Sequence, residues 1–115
     1  MYLDSNGVPV PKLSLNGPLA AGIPGVPAAL DHITKHYGRR TLARNLAPAI
    51  RLGRDGFPVY ERYRRLADFR LEPLSASPAA AAAFLDQGFV PEQGYRLKQP
   101  DLARTLERLA ASGRD

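Results

Sequence analysis

The sequence predicts a mainly α fold: several short helices on a turn-rich N-terminal arm, together forming one incomplete segment of something larger. Three observations predict it. Apolar residues recur at helical spacing in five separate stretches. Gly and Pro, 10 and 11 of the 115 residues, interrupt the chain between those stretches, so much of it must be turns. Each stretch is short and has a single apolar face, which has to be covered by a neighbour.

The order along the chain follows from local chemistry. Residues 1–25 read as an extended arm. Asp4-Ser5-Asn6-Gly7 is a tight-turn signal, and Pro9, Pro11, Gly17, Pro18, Gly22, Pro24 and Gly25 punctuate the rest. Residues 26–115 read as the helical part. A first helix is predicted from Pro27 to Tyr37, with Pro27 in the first turn, Leu30, Ile33 and Tyr37 on one face and Gly38 at its end. A second starts at Thr41 as N-cap, carries Leu42, Leu46, Ala49 and Ile50 as its stripe, contains Pro48 as a kinking residue and stops at Gly56. A third spans Pro58 to Leu71, with Tyr60, Tyr63, Leu66 and Ala67 along one side and Glu61–Arg65 as an i, i+4 ion pair. Ser77 caps a fourth, Pro78 opens it, an alanine run fills it and Gly88 follows it. Tyr95-Arg96-Leu97 is a short extended piece. The last helix begins at Pro100 and ends at Gly113, with Leu102, Ala103, Leu106, Leu109 and Ala110 as its stripe. There is no strong strand pattern.

Composition narrows the possible functions. With 115 residues the chain has room for one small domain and not two. Cys 0 removes disulfides, thiolate nucleophiles and thiolate metal sites. No stretch is long and apolar enough to span a membrane. Met1-Tyr2-Leu3-Asp4 has neither a basic start nor an apolar run, so no signal peptide is expected there. Lys+Arg 16 against Asp+Glu 11 gives +5, and the excess is local. Nine arginines lie between Arg39 and Arg70 (Arg39, Arg40, Arg44, Arg51, Arg54, Arg62, Arg64, Arg65 and Arg70), opposed only by Asp55, Glu61 and Asp68. Such a belt can bind phosphates, but no aromatic interleaving or reading motif accompanies it, so a solvated or protein-paired face is the better reading than nucleic-acid binding.

The residues able to carry chemistry are few. His32 and His36, four apart, share one helix face, as metal ligands can. Ile33 stands where a zinc-protease glutamate would be, and no third ligand is near in sequence, so no metal site is assigned. Ser5, Ser14, Ser75, Ser77, Ser112, Thr34, Thr41 and Thr105 are candidate nucleophiles; none lies in a nucleophile elbow or beside a base at dyad spacing. Ser77 and Thr41 are better explained as caps, and Thr105 as a packing residue. Gly22-Ile23-Pro24-Gly25 before a helix could offer N–H groups to an anion, but it is short for a phosphate loop, and Pro24 and Pro27 lack the donor. The eleven acids are scattered and suggest no glycosidase pair.

Three blocks in order carry a family resemblance: Gly17-Pro18-Leu19-Ala20-Ala21-Gly22-Ile23-Pro24-Gly25, then Pro48-Ala49-Ile50-Arg51-Leu52-Gly53-Arg54-Asp55-Gly56-Phe57-Pro58-Val59, then Leu97-Lys98-Gln99-Pro100-Asp101-Leu102-Ala103-Arg104-Thr105-Leu106. His36-Tyr37-Gly38-Arg39 and the Phe84, Gly88, Gly94, Leu97 spacing join them. Together they resemble the γ-glutamyltransferase (glutathione hydrolase) family across essentially the whole chain. Two departures stand out. Val26-Pro27-Ala28-Ala29 replaces the family's usual Thr-Val-Ala-Gly, and Gly53 replaces its usual alanine, a change that weakens a helix by up to ~1 kcal/mol.

The resemblance implies that residues 1–115 are an internal part of the large subunit of an αββα N-terminal-nucleophile hydrolase. Such enzymes cleave γ-glutamyl amides such as glutathione and pass the γ-glutamyl group to water or an amino acid, using the N-terminal threonine of a separate small subunit. The resemblance therefore implies a scaffold that is inactive alone, with no catalytic, substrate-binding or metal residue and no cofactor of its own. Its implied partners are the rest of the large subunit and the small subunit, with substrate bound only by the full enzyme and a periplasmic or extracellular location. The alternatives are a small basic helical binding module for acidic partners, and a degenerate inactive remnant.

Overall fold

The computed structural model of the protein describes residues 2–113. The arm begins with a narrow loop: Leu3 bridges Pro9, and the Asp4 carboxylate accepts the N–H groups of Asn6 and Val8 at 2.8 and 2.9 Å. A single 3₁₀ turn follows at Pro18–Ala20. Helix α1 then spans Val26–Tyr37 and α2 spans Leu42–Asp55, with Pro48 inside it. Strand β1 is Phe57–Pro58; α3 is Glu61–Phe69, α4 Leu71–Ser75 and α5 Pro78–Phe84. Strand β2 is Arg96–Leu97 and α6 is Pro100–Ser112. Among the described residues the fold is mostly helical with one small two-stranded sheet.

The caps behave as their chemistry requires. Thr41 and Ser77 accept the N–H groups of Arg44 and Ala80, both at 3.3 Å, satisfying a free donor in the first turns of α2 and α5. Gly38 ends α1 for a reason other than left-handed backbone. Its φ is −80°, and a Cβ there would lie 2.5 Å from the Thr34 carbonyl oxygen.

Three expectations need correction. The predicted helix from Pro58 to Leu71 is shorter and divided, because Pro58 and Val59 are taken into strand pairing and Arg70, at φ −107° and ψ 13°, separates α3 from α4. Ala49 is exposed; the inward stripe of α2 is Leu42, Leu46, Ile50 and Gly53. Glu61 pairs with Arg64 at 3.8 Å instead of with Arg65, because Arg64 also reaches the Pro91 carbonyl (3.2 Å) and Glu92 (3.4 Å).

The core lies where α2 crosses α6 and the sheet closes one end. Leu46 and Gly53 of α2 are buried with Ala103 and Leu109 of α6. β1 and β2 pair antiparallel, Phe57 opposite Leu97 and Pro58 opposite Arg96. The Gly53 carbonyl accepts the Gln99 N–H at 2.8 Å, tying the last turn of α2 to the start of α6. Gly56, at φ +83°, makes the turn from α2 into β1, and a Cβ there would sit 2.9 Å from the Leu97 carbonyl oxygen. Val59, almost fully buried, exchanges backbone bonds with Tyr95 and Gly94 at 2.8 Å each.

Much of the apolar surface of α1 and α3 lies outside this core, although Ala67 of α3 and Asp31 of α1 are buried. Leu30, Ile33 and Tyr37 share one face of α1, as expected, and all three are exposed, Tyr37 at 79%. Phe69 is 80% exposed. The radius of gyration is 17.5 Å, where a compact chain near this length would have about 13 Å. A thin, open body of this kind follows from helices whose apolar faces outnumber the neighbours available to cover them.

Candidate functional site

The residue types that could do chemistry are spread over separate elements. The His32 and His36 rings stack at a centroid separation of 4.1 Å on the exposed side of α1. His36 Nδ1 lies 2.8 Å from the His32 carbonyl oxygen and so carries the proton toward it. Among the described residues no group of three or more potential metal ligands converges.

The hydroxyls have local duties. Those of Thr41 and Ser77 are spent on caps. Thr105 was expected to pack; it is exposed, and its hydroxyl donates to the Asp101 carbonyl one turn back at 3.0 Å. Back-bonding of this kind is the ordinary behaviour of threonine inside a helix. At the Gly22–Gly25 turn the Gly25 N–H donates to the Ile23 carbonyl at 2.8 Å, so that donor is not offered outward.

The arginine belt divides into two sets. Arg54 pairs with Glu107, Arg64 with Glu61 and Glu92, and Arg70 donates to the Asn16 side chain at 2.8 Å, holding the arm. Arg39, Arg40, Arg44, Arg51, Arg62 and Arg65 are exposed and form no ion pair among the described residues. Arg39 and Arg40 edge a cleft of roughly 550 Å³ between the end of α1 and the end of α6, beside Lys35. Lys35 is itself held at 2.8 Å by Asp31, a buried carboxylate against Gly113.

A largely apolar concavity lies between α3, α4 and α5. It encloses about 320 Å³ and is lined by Tyr60, Tyr63, Leu66, Ala67, Leu74 and Phe84, with Arg70 at its edge. The Tyr63 hydroxyl is already satisfied, since it donates to the Phe84 carbonyl at 2.7 Å. Burial raises the Tyr63 pKa above its ordinary value of 10.0. This concavity can hold an apolar side chain; it presents no nucleophile, base or oxyanion donor set. The sequence supplied its wall residues as a helix stripe, but the closing residues Leu74 and Phe84 come from elements whose packing periodicity alone does not reveal.

Comparison with known proteins places the chain. The family profile described as Gamma-glutamyltranspeptidase matches residues 1–115. The glutathione hydrolase proenzyme of Escherichia coli (strain K12) is 35% identical over 116 residues, all of this chain and 20% of that protein. The corresponding proenzyme of Pseudomonas sp. (strain A14) is 32% identical over 120 residues, again all of this chain and 20% of the relative. The chain thus spans about a fifth of the length of these relatives. Among solved structures, the Helicobacter pylori gamma-glutamyltranspeptidase superposes with a TM-score of 0.94 at 32% identity, over 98% of this chain and 33% of that one. The Bacillus anthracis transpeptidase CapD superposes at 0.76 and 30% identity, over 91% and 36%. A match to the family profile along its whole length and a shared backbone at this level of identity make this chain a member of the gamma-glutamyltranspeptidase family.

Proposed function

We propose that the chain is an internal part of the large subunit of a γ-glutamyltransferase-like enzyme and serves as scaffold, the reacting groups being supplied by the rest of the enzyme. The observation that carries this reading is the asymmetry of coverage: 98% of this chain follows the Helicobacter pylori backbone, yet occupies only 33% of it. The exposed apolar faces of α1 and α3 support it, because they are what a body cut from a larger αββα hydrolase would present. In the full enzyme the chemistry is cleavage of a γ-glutamyl amide such as that of glutathione. The small subunit's N-terminal threonine attacks, and the γ-glutamyl group passes to water or an amino acid. Within residues 1–115 no side chain is assigned to substrate; α2, α6 and the β1–β2 pair hold their part of the large subunit in shape.

A chimera tests this. The E. coli relative carrying this chain in place of its matching 116 residues is expected to mature into two subunits and to hydrolyse a γ-glutamyl anilide. The 115-residue chain alone is expected to show no hydrolysis above buffer. Turnover by the isolated chain would refute the scaffold role.

A further inference from the structure

We propose that the groove formed by Tyr60, Tyr63, Leu66, Leu74 and Phe84, with Arg70 at its edge, is a docking seat for an apolar segment bearing a carboxylate, contributed by the part of the same enzyme that lies outside these 115 residues. The inference rests on the scaffold reading above and names the surface through which the scaffold engages.

The groove is apolar and unfilled. Tyr60 and Leu66 are each more than half exposed although they form its wall, and Phe84 is 40% exposed. Burial of such side chains is favourable, so leaving three of them wet is costly for a free-standing protein. Helical spacing extends the surface: Arg62 and Phe69 flank Leu66 at i−4 and i+3, and Phe69 is 80% exposed. The apolar surface therefore continues out of the groove along α3.

The polarity of the seat selects the occupant. The Tyr63 hydroxyl is committed to the Phe84 carbonyl and needs no partner from the occupant. The charge at the rim is positive and underused. Arg70 spends one Nη on Asn16 and keeps its other donors; Arg62 does not line the groove but lies one helical turn before Leu66, exposed and without an ion pair among the described residues. A guanidinium fork beside an apolar slot suits a carboxylate next to a large apolar side chain. The volume of about 320 Å³ accommodates such an anchor and its neighbour, not a whole domain. The relatives are about five times longer than this chain, so a segment of that composition has ample chain to come from.

Two measurements test the seat. The chain lacks cysteine, so Leu66→Cys and Val59→Cys can be introduced singly into the E. coli chimera and alkylation mapped by mass spectrometry. Val59 is 1% exposed here and reports folding; Leu66 is 53% exposed here and reports docking. The expected result is that both thiols react at least about tenfold more slowly in the native chimera than in guanidinium. A protected Val59→Cys with a freely reacting Leu66→Cys would overturn the seat, whether or not the chimera turns over substrate; a protected Leu66→Cys in an inactive chimera would support the seat while counting against the functional reading. The second measurement needs no chimera. Anilinonaphthalene sulfonate, an apolar anion, is expected to bind the 115-residue chain, and Leu66→Asp and Arg70→Glu are each expected to weaken that binding several-fold. Equal binding by all three proteins would overturn the proposal.

Discussion

Gly53 of α2 lies against Ala103 of α6 so closely that a Cβ on Gly53 would stand 3.3 Å from the Ala103 Cβ and 3.4 Å from the Gln99 carbonyl oxygen. Both residues are buried. In sequence the glycine looked only like a weakness, a residue that costs a helix relative to alanine. In the fold it permits a close approach of the two helices that make the core. Gly53→Ala is therefore expected to change stability by less than about 1 kcal/mol, helix propensity gained against crowding incurred. Gly53→Val, which adds volume with no room to relax, is expected to destabilise by about 1–3 kcal/mol. Urea titration followed by far-ultraviolet circular dichroism distinguishes the two, and a stable Gly53→Val protein would refute the packing argument.

Gly56 is the stricter glycine. Its φ of +83° is a conformation that side chains other than glycine rarely adopt, and a Cβ there would sit 2.7 Å from Arg96 Cγ and 2.9 Å from the Leu97 carbonyl oxygen. Strain and clash add, so Gly56→Ala is expected to cost about 2 kcal/mol or more. The loss should exceed that of Gly53→Ala by enough to resolve in parallel thermal melts. A Gly56→Ala midpoint at or above that of Gly53→Ala would be incompatible with the turn described.

The two side-chain caps offer a calibrated pair. Thr41→Ala and Ser77→Ala each remove an oxygen that accepts an amide N–H at 3.3 Å, and each is expected to cost about 1 kcal/mol. Thr41→Ser keeps the oxygen and should restore most of the loss. Amide hydrogen exchange at Arg44 and Ala80 reads the two caps separately.

These positions also show where sequence reasoning succeeded and where it stopped. Thr41, Ser77 and Pro27 announce helix starts because capping and proline placement act within a few residues, and the structure has helices beginning beside all three. Most of the stripe of α6 was legible for the same reason, since Ala103, Leu106, Leu109 and Ala110 recur at helical spacing and turn inward, whereas Leu102 is exposed. The β1–β2 pair was not legible as a pair. Two strands of two residues have no period to detect, and Pro58 is a poor advertisement for a strand. Its partner Arg96 is 38 positions away, a distance local patterns do not span. The choice of Arg64 over Arg65 was hidden in the same way, because Pro91 and Glu92 decide it from a distant loop. The groove is half legible: the α3 side is a stripe, and the α4 and α5 side is tertiary.

Arg64 provides a test of that distant loop. Its Nε donates to the carbonyl of Pro91, a residue almost free of solvent exposure, and its guanidinium also faces Glu61 and Glu92. Arg64→Met keeps the apolar stem and removes the donor, leaving the Pro91 carbonyl without this partner at a cost of about 1–3 kcal/mol. Arg64→Lys should recover little, because a single ammonium cannot reproduce the guanidinium's divided reach. The exposed pair with Glu92 contributes less, so Glu92→Gln is expected to be nearly neutral. If Arg64→Lys matched the wild-type melting temperature, the carbonyl contact would not be what fixes the loop.

Tyr63 sets a pH limit whose sign can be worked out. Burial holds its pKa in the folded chain above the 10.0 of the free side chain. Between the unfolded and folded values the unfolded chain has released the proton and the folded chain still holds it, so the folded state binds more protons and stability falls as pH rises. The stabilisation is fully present below pH 10.0 and is lost as pH climbs through the folded pKa. Ionisation also removes the proton that Tyr63 donates to the Phe84 carbonyl at 2.7 Å and leaves two acceptors facing each other. Tyr63→Phe deletes the titrating group, so its stability at neutral pH should drop by roughly the 0.5–1.5 kcal/mol of one hydrogen bond. Its decline above pH 10.0 should be shallower than that of the parent chain. Denaturation midpoints collected from pH 8 to about 11.5 give both slopes, the upper bound being about where tyrosine ionisation is well advanced. Identical slopes would mean that the Tyr63 hydroxyl is solvated in solution and that the α3–α5 contact is looser than the 2.7 Å bond requires.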